Sequence, residues 1–197
     1  MPTRVHDCHQ PWVVSQKFEW TVSGLITAAE FHFLNVFVGT TINFVGGPYS
    51  GAIKEPDLLI QPDNQHLPSV IIESGWSESV PRLRDDMNLW LVGGGGKVRA
   101  AIILSWQRLS NTNQVRGNLE LYTLDRNGMP QHNTDLAIFP SPTPAVAAAQ
   151  QLILTRREVF GDHVPPGRNP TDQLPFSINI LRGEARDALQ LMGLIPA

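Results

Sequence analysis

Lys54-Glu55-Pro56-Asp57-Leu58-Leu59-Ile60 and Pro68-Ser69-Val70-Ile71-Ile72-Glu73-Ser74-Gly75-Trp76-Ser77-Glu78-Ser79 are the two stretches that decide the fold. Each holds a short apolar run, and Gln61-Pro62-Asp63-Asn64-Gln65 between them has the composition of a turn, so strands are predicted at 57–61 and 69–75. Asp57 opens the first run and Glu73 interrupts the second. A carboxylate inside an apolar strand is costly unless a metal, a proton or a partner compensates it. Side chains alternate along a strand, so Glu73 shares a face with Ser69, Ile71 and Gly75. If the two strands are neighbours, Asp57 and Glu73 converge on one site, and paired oxygen ligands suit magnesium or manganese.

At these residues the chain resembles the PD-(D/E)XK nuclease superfamily. Pro56-Asp57 matches its first half-motif, and Glu73-Ser74-Gly75 stands in the place of (D/E)-X-K, with Gly75 where the lysine is expected. The residues beyond the motif extend the likeness: Trp76 and Ser77 after the acidic strand, a helix carrying Leu83, Asp86 and Trp90, the glycines Gly93 to Gly96, and a hydrophobic strand. Together they are similar to a divergent, fungal-type branch of endonuclease-like proteins lacking the motif lysine, over residues 50 to 125.

The resemblance implies an α/β (α+β) fold, a restriction endonuclease-like mixed central sheet flanked by helices with extra antiparallel strands. It implies a metal site made by Asp57, Glu73 and the carbonyl of Ser74. Asp57 and Glu73 are then the catalytic carboxylates, and Arg84 is the candidate replacement for the lysine. Lys54 and Lys97, which flank strand ends, are further candidates for that role, and none of the three has the motif's spacing. Trp76 and Ser77 are candidate substrate-binding residues.

A chain of 197 residues with 42% hydrophobic and 17% charged side chains can bury one substantial core, so residues 1–197 are expected to form one domain. A formal charge of −3 gives no global basic field, and any nucleic-acid surface must be local. Cys8 is the only cysteine, which excludes an intramolecular disulfide. No segment reads as a signal peptide or a membrane span, and an intracellular location, cytoplasmic or nuclear, with no membrane partner is expected.

Leu25, Ala28, Ala29 and His32 are helically spaced and Val36 to Val45 alternates, predicting a helix that leads into a strand. Val80, Leu83, Met87, Trp90 and Leu91 form the stripe of a helix that Ser79 is expected to cap and the glycine run to end. Val98–Trp106 and Leu119–Leu124 read as antiparallel strands, Gln150 to Val159 contains another, and Ala185, Ala188, Leu189 and Met192 mark a closing helix stopped by Gly193. Residues 1–11 are expected as a flexible tail, and 140–146 and 163–175 as long loops.

Each candidate has a plainer reading. Asp57 and Glu73 can be remnants satisfied by hydrogen bonds or an arginine, Trp76 part of the core, and Glu30, which the resemblance offers as an acidic residue contributed from the first helical segment, an exposed helix residue. His6, Cys8 and His9 lack the fourth ligand that a zinc site needs. Three functions are compatible with these residues. The first is a divalent-metal-dependent phosphodiesterase acting on nucleic acid, with magnesium or manganese as cofactor. The second is a non-nuclease enzyme on the same scaffold performing acid–base chemistry on a small organic, biosynthetic substrate. The third is an inert binding module with a degenerate site and no cofactor.

Overall fold

The computed structural model describes residues 3–197. A 3-10 turn at His6–Cys8 runs into helix α1 (His9–Val22), followed by α2 (Ala28–Phe33) and strand β1 (Leu34–Phe37). A small hairpin pairs β2 (Ile42–Asn43) with β3 (Ile53–Lys54), and β4 (Leu58–Pro62), β5 (Val70–Trp76) and α3 (Val80–Gly93) come next. Long strands β6 (Ala100–Arg108), β7 (Gln114–Leu124) and β8 (Pro130–Phe139) lead to α4 (Pro144–Ala149). The chain closes with β9 (Gln151–Thr155), α5 (Arg156–Phe160), β10 (Gln173–Ser177), α6 (Ile178–Leu191) and β11 (Ile195–Pro196).

Seven strands form one mixed sheet in the order β1-β4-β5-β6-β7-β11, with β8 also paired to β7. The chain is therefore of the α/β (α+β) class, a mixed central sheet flanked by helices. β4 and β5 are antiparallel, in the register Leu58↔Ile72, Leu59↔Ile71, Ile60↔Val70. β5 and β6 are parallel, which a hairpin cannot achieve, and α3 supplies the crossover.

Alternation in the pleat divides the core. Leu58, Ile60, Val70, Ile72, Ile102 and Leu104 pack on the side covered by α1, α5, α6 and the β9–β10 pair. Leu59, Ile71, Ala101 and Ile103 face Leu83, Met87, Trp90 and Leu91 of α3 on the other. Strands β5 and β6 are thus apolar on both faces, and a carboxylate at position 73 sits in the middle of the molecule.

Several expectations are corrected. Residues 1 and 2 of the expected tail lie outside the described residues, whereas 3–11 hold the turn and the first residues of α1, with Val5, Cys8 and His9 buried. The tail is helical because Val5, Cys8, Trp12 and Val13 form an apolar face that joins the main core. The strand predicted across Val36 to Val45 is shorter and earlier. β8 has no counterpart among the predicted strands, because Gln131, His132, Asn133 and Thr134 are polar and exposed or half-buried on a strand that buries only its end at Ile138 and Phe139. The loop predicted at 140–146 gives way to α4 at Pro144, a residue suited to a first helical turn. The loop predicted at 163–175 ends where β10 begins at Gln173.

Candidate functional site

Asp57 lies one step before the Leu58↔Ile72 pair, and so faces Glu73 across the β4–β5 ladder. The backbone N–H of Ser74 donates to Asp57 Oδ2 at 2.7 Å, which fixes the carboxylate against the neighbouring strand. Glu73 is only 3% exposed, and its Oε1 accepts from the indole N–H of Trp90 on α3 at 2.8 Å. Trp90 therefore belongs both to the apolar stripe and to the site.

Burial pushes the Glu73 carboxyl up, and the negative charge of Asp57 adds to it, bringing the pKa to about 8. Trp90 and Lys54 act in the opposite direction without prevailing. At neutral pH the side chain is thus mostly protonated.

Both carboxylates line a cleft of about 430 Å³ whose walls also include His6, Lys54, Arg82 and Asp86. His6 Nε2 lies 3.5 Å from Asp57 Oδ2, carried there by the turn that precedes α1. Lys54, on the small hairpin, places Nζ 2.7 Å from Asp86 Oδ2 of α3, and both side chains are largely shielded. His6 and Asp86 could not be assigned to the site from spacing alone, since one lies 51 residues before Asp57 and the other on a helix chosen for its apolar stripe. Lys54 is legible in the sequence only as a cation at a strand end.

Gly75 does not leave open space where the motif lysine is expected. A Cβ built there would stand 2.3 Å from Ser79 Oγ and 3.2 Å from Leu83 Cδ1. Ser79 Oγ does not cap α3; it donates to the Trp76 carbonyl at 2.6 Å, because the 3-10 turn Ser77–Ser79 brings the hydroxyl back over the strand end.

Arg84 is not brought to the carboxylates. Its guanidinium pairs with Glu120 of β7, Nη2 to Oε1 at 2.9 Å, and Tyr122 donates to the other oxygen of the same carboxylate at 2.6 Å. Arg82, two residues earlier, lines the cleft instead. Trp76 borders the cleft while packing against the main core, and Ser77 lines a neighbouring groove rather than the carboxylate cleft. Ser74 joins the site through its backbone, its hydroxyl accepting from Trp106 at 3.2 Å.

The remaining polar candidates have structural partners. Glu30 is buried, not exposed: it closes a capping box with Thr27 and pairs with Arg156 and Arg168, each at 2.7 Å. Burial pushes the Cys8 thiol far up, which removes the thiolate that a metal or a nucleophilic step requires. Burial lowers the His9 pKa, and His9 Nδ1 meets the His6 carbonyl at 2.7 Å.

Among the described residues, no group of three or more His, Cys, Asp or Glu side chains is arranged to hold a metal, and no helix is long and apolar enough to cross a membrane. Two carboxylates with a backbone carbonyl nevertheless suit magnesium or manganese, which keep several waters and bind few protein ligands. They do not suit a four-ligand zinc site. Comparison with protein-family models, with curated proteins and with solved structures finds no match.

Proposed function

We propose that this chain is a divergent PD-(D/E)XK-type phosphodiesterase acting on nucleic acid, with magnesium or manganese held by Asp57, Glu73 and the Ser74 carbonyl. The observation that carries the reading is the meeting of two carboxylates across β4 and β5, one of them held protonated by its burial and by the charge of the other. A bound divalent ion would supply that charge, lower the pKa of its water and neutralise charge developing on a phosphoryl group.

The chain's own groups then have distinct tasks. Ser74 N–H and Trp90 N–H orient the two carboxylates, so the pair is organised in advance. Lys54 takes the place that Gly75 cannot fill: it is the cation of the cleft that acts on Glu73, and its bond to Asp86 holds it beside the carboxylates. An ammonium there stabilises charge on a substrate phosphate.

Calorimetric titration with manganese tests this reading. Wild type is expected to bind one ion, Asp57→Ala and Glu73→Ala are expected to lose most of that affinity, and Lys54→Ala is expected to retain it while losing cleavage of single-stranded DNA. Equal titrations for wild type and both carboxylate variants would remove the metal from the account.

One observation favours a second reading. A carboxylic acid protonated near neutrality is a ready general acid without any metal, so the same cleft suits acid–base chemistry on a small organic substrate. Such activity would survive a chelator, whereas the phosphodiesterase would not.

A further inference from the structure

On β6 and β7 the face that α3 covers includes Ile103 and Glu120. Across the sheet, Glu73 pairs with Ile103 and Ile103 with Glu120, which Arg84 of α3 holds by an ion pair. The next row on the same face is Gly75, Ser105 and Asn118, and the row beyond it holds Gln107 and Arg116. Gly75 is buried beneath Ser79 and Leu83, but on β6 and β7 the face opens: Ser105 and Asn118 are half-buried, and Gln107 and Arg116 are exposed.

These residues, with Ser77, line a groove of about 230 Å³. It adjoins the carboxylate cleft directly, because Gly75 of the cleft pairs with Ser105 of the groove, and Trp76 and Ser77 are consecutive. Neighbouring strands stand about 4.8 Å apart, so the two sites are within the reach of adjoining units of one chain molecule. Among the described residues, no acidic side chain lines the groove, in contrast to the cleft. Among the described residues, none bonds to the side chains of Ser105, Gln107, Arg116 or Asn118. Hydrogen-bonding groups around one guanidinium thus face outward beside the candidate reaction site, with no partner among the described residues and with Ala137 and Phe139 completing the lining.

We infer that this groove is a subsite for the nucleotide flanking the scissile phosphodiester, and that the substrate is single-stranded nucleic acid. The inference rests on the phosphodiesterase reading and adds a substrate class to it. Arg116 provides the fork that a phosphate takes up bidentately. Asn118, Gln107, Ser105 and Ser77 offer donors and acceptors to the Watson–Crick edges of bases, which a single strand presents and a duplex hides. One arginine on a chain of net charge −3 is a poor match for the two phosphate backbones of a duplex, whose binding depends on many simultaneous cation contacts.

The test is fluorescence anisotropy with labelled oligothymidylates of three and twelve nucleotides, run with excess chelator and again with calcium. Arg116 is exposed, so Arg116→Ala and Arg116→Glu are expected to keep the wild-type melting temperature. For the twelve-mer, Arg116→Ala is expected to weaken binding about tenfold and to lower the salt slope by about 0.7, the contribution of one phosphate contact to a single strand. Arg116→Glu is expected to weaken it further, and a blunt duplex of the same length is expected to bind more weakly than the single strand. Unchanged affinity in Arg116→Glu, a preference for the duplex, or no binding by wild type in either buffer overturns the inference. An oligonucleotide that binds through Arg116 but is not cut with manganese leaves the groove in place and removes the phosphodiesterase reading. Manganese-dependent cleavage with the same length dependence in wild type and Arg116→Glu does the reverse.

Discussion

Replacing Glu73 by glutamine tests the electrostatics of the cleft, because it keeps the shape of the side chain and its ability to accept from Trp90 while removing the titration. In the folded protein, burial and Asp57 raise the Glu73 pKa from the ordinary 4.5 to about 8. Between those values the unfolded chain has released the proton and the folded chain still holds it. The unfolded state then binds fewer protons, so stability falls as pH rises through this window and levels off above the folded pKa. The gap is about 3.5 pH units, 8 less 4.5. At about 1.4 kcal/mol per unit, the wild type loses up to about 5 kcal/mol across it. Local loosening that admits water to the carboxylate would reduce that figure.

Urea denaturation of both proteins at steps from about pH 5 to 8.5 gives the difference profile, and other titrating groups, histidines included, cancel in the difference to first order. Glu73→Gln is expected to match the wild type near the acid end and to exceed it by several kcal/mol at the alkaline end. Saturating manganese is expected to narrow the gap, since an ion bound only by the folded wild type adds stability. Parallel profiles over the whole range would refute the buried, unbalanced carboxylate.

Leu83→Ala is expected to cost about 2–5 kcal/mol in chemical denaturation, because Leu83 is buried under the sheet, whereas Arg82→Ala, exposed at the cleft, should change stability by less than about 0.5 kcal/mol. Arg84→Ala strips the ion-pair partner from a buried glutamate and should destabilise by about 1–3 kcal/mol while leaving manganese affinity unchanged in calorimetry, the opposite of what is expected of Asp57→Ala or Glu73→Ala. Gly75→Ala should lower the melting temperature because its Cβ meets Ser79 Oγ, and Ser79→Ala in the same chain should recover part of the loss; additive losses would show that the contact does not limit the site.

The strands and helices that are legible in the sequence are those whose pattern is decided locally. β4 and β5 are bounded by turn residues, α3 carries a one-sided stripe, and α6 ends at Gly193 with a φ of 69° that favours glycine. β8 and β11 are not legible, because a polar edge strand and a two-residue parallel addition draw their stability from β7 rather than from their own composition. The site divides along the same line. Asp57 and Glu73 stand out because charge in an apolar run is anomalous wherever it occurs. The groups that modulate them come from three other elements, and only the folded chain sets Lys54, His6 and Trp90 beside those carboxylates. Arg84 shows why proximity along a helix misleads: two residues turn a side chain by about 200° around the axis, so Arg82 and Arg84 leave the helix in opposite directions. Glu120 then decides the outcome, since a buried carboxylate on β7 must find a cation, and Arg84 is the one α3 presents to it. The arginine is thus committed to holding α3 on the sheet, and the Lys and Arg side chains that line the cleft are Lys54 and Arg82, neither of which any motif spacing marks.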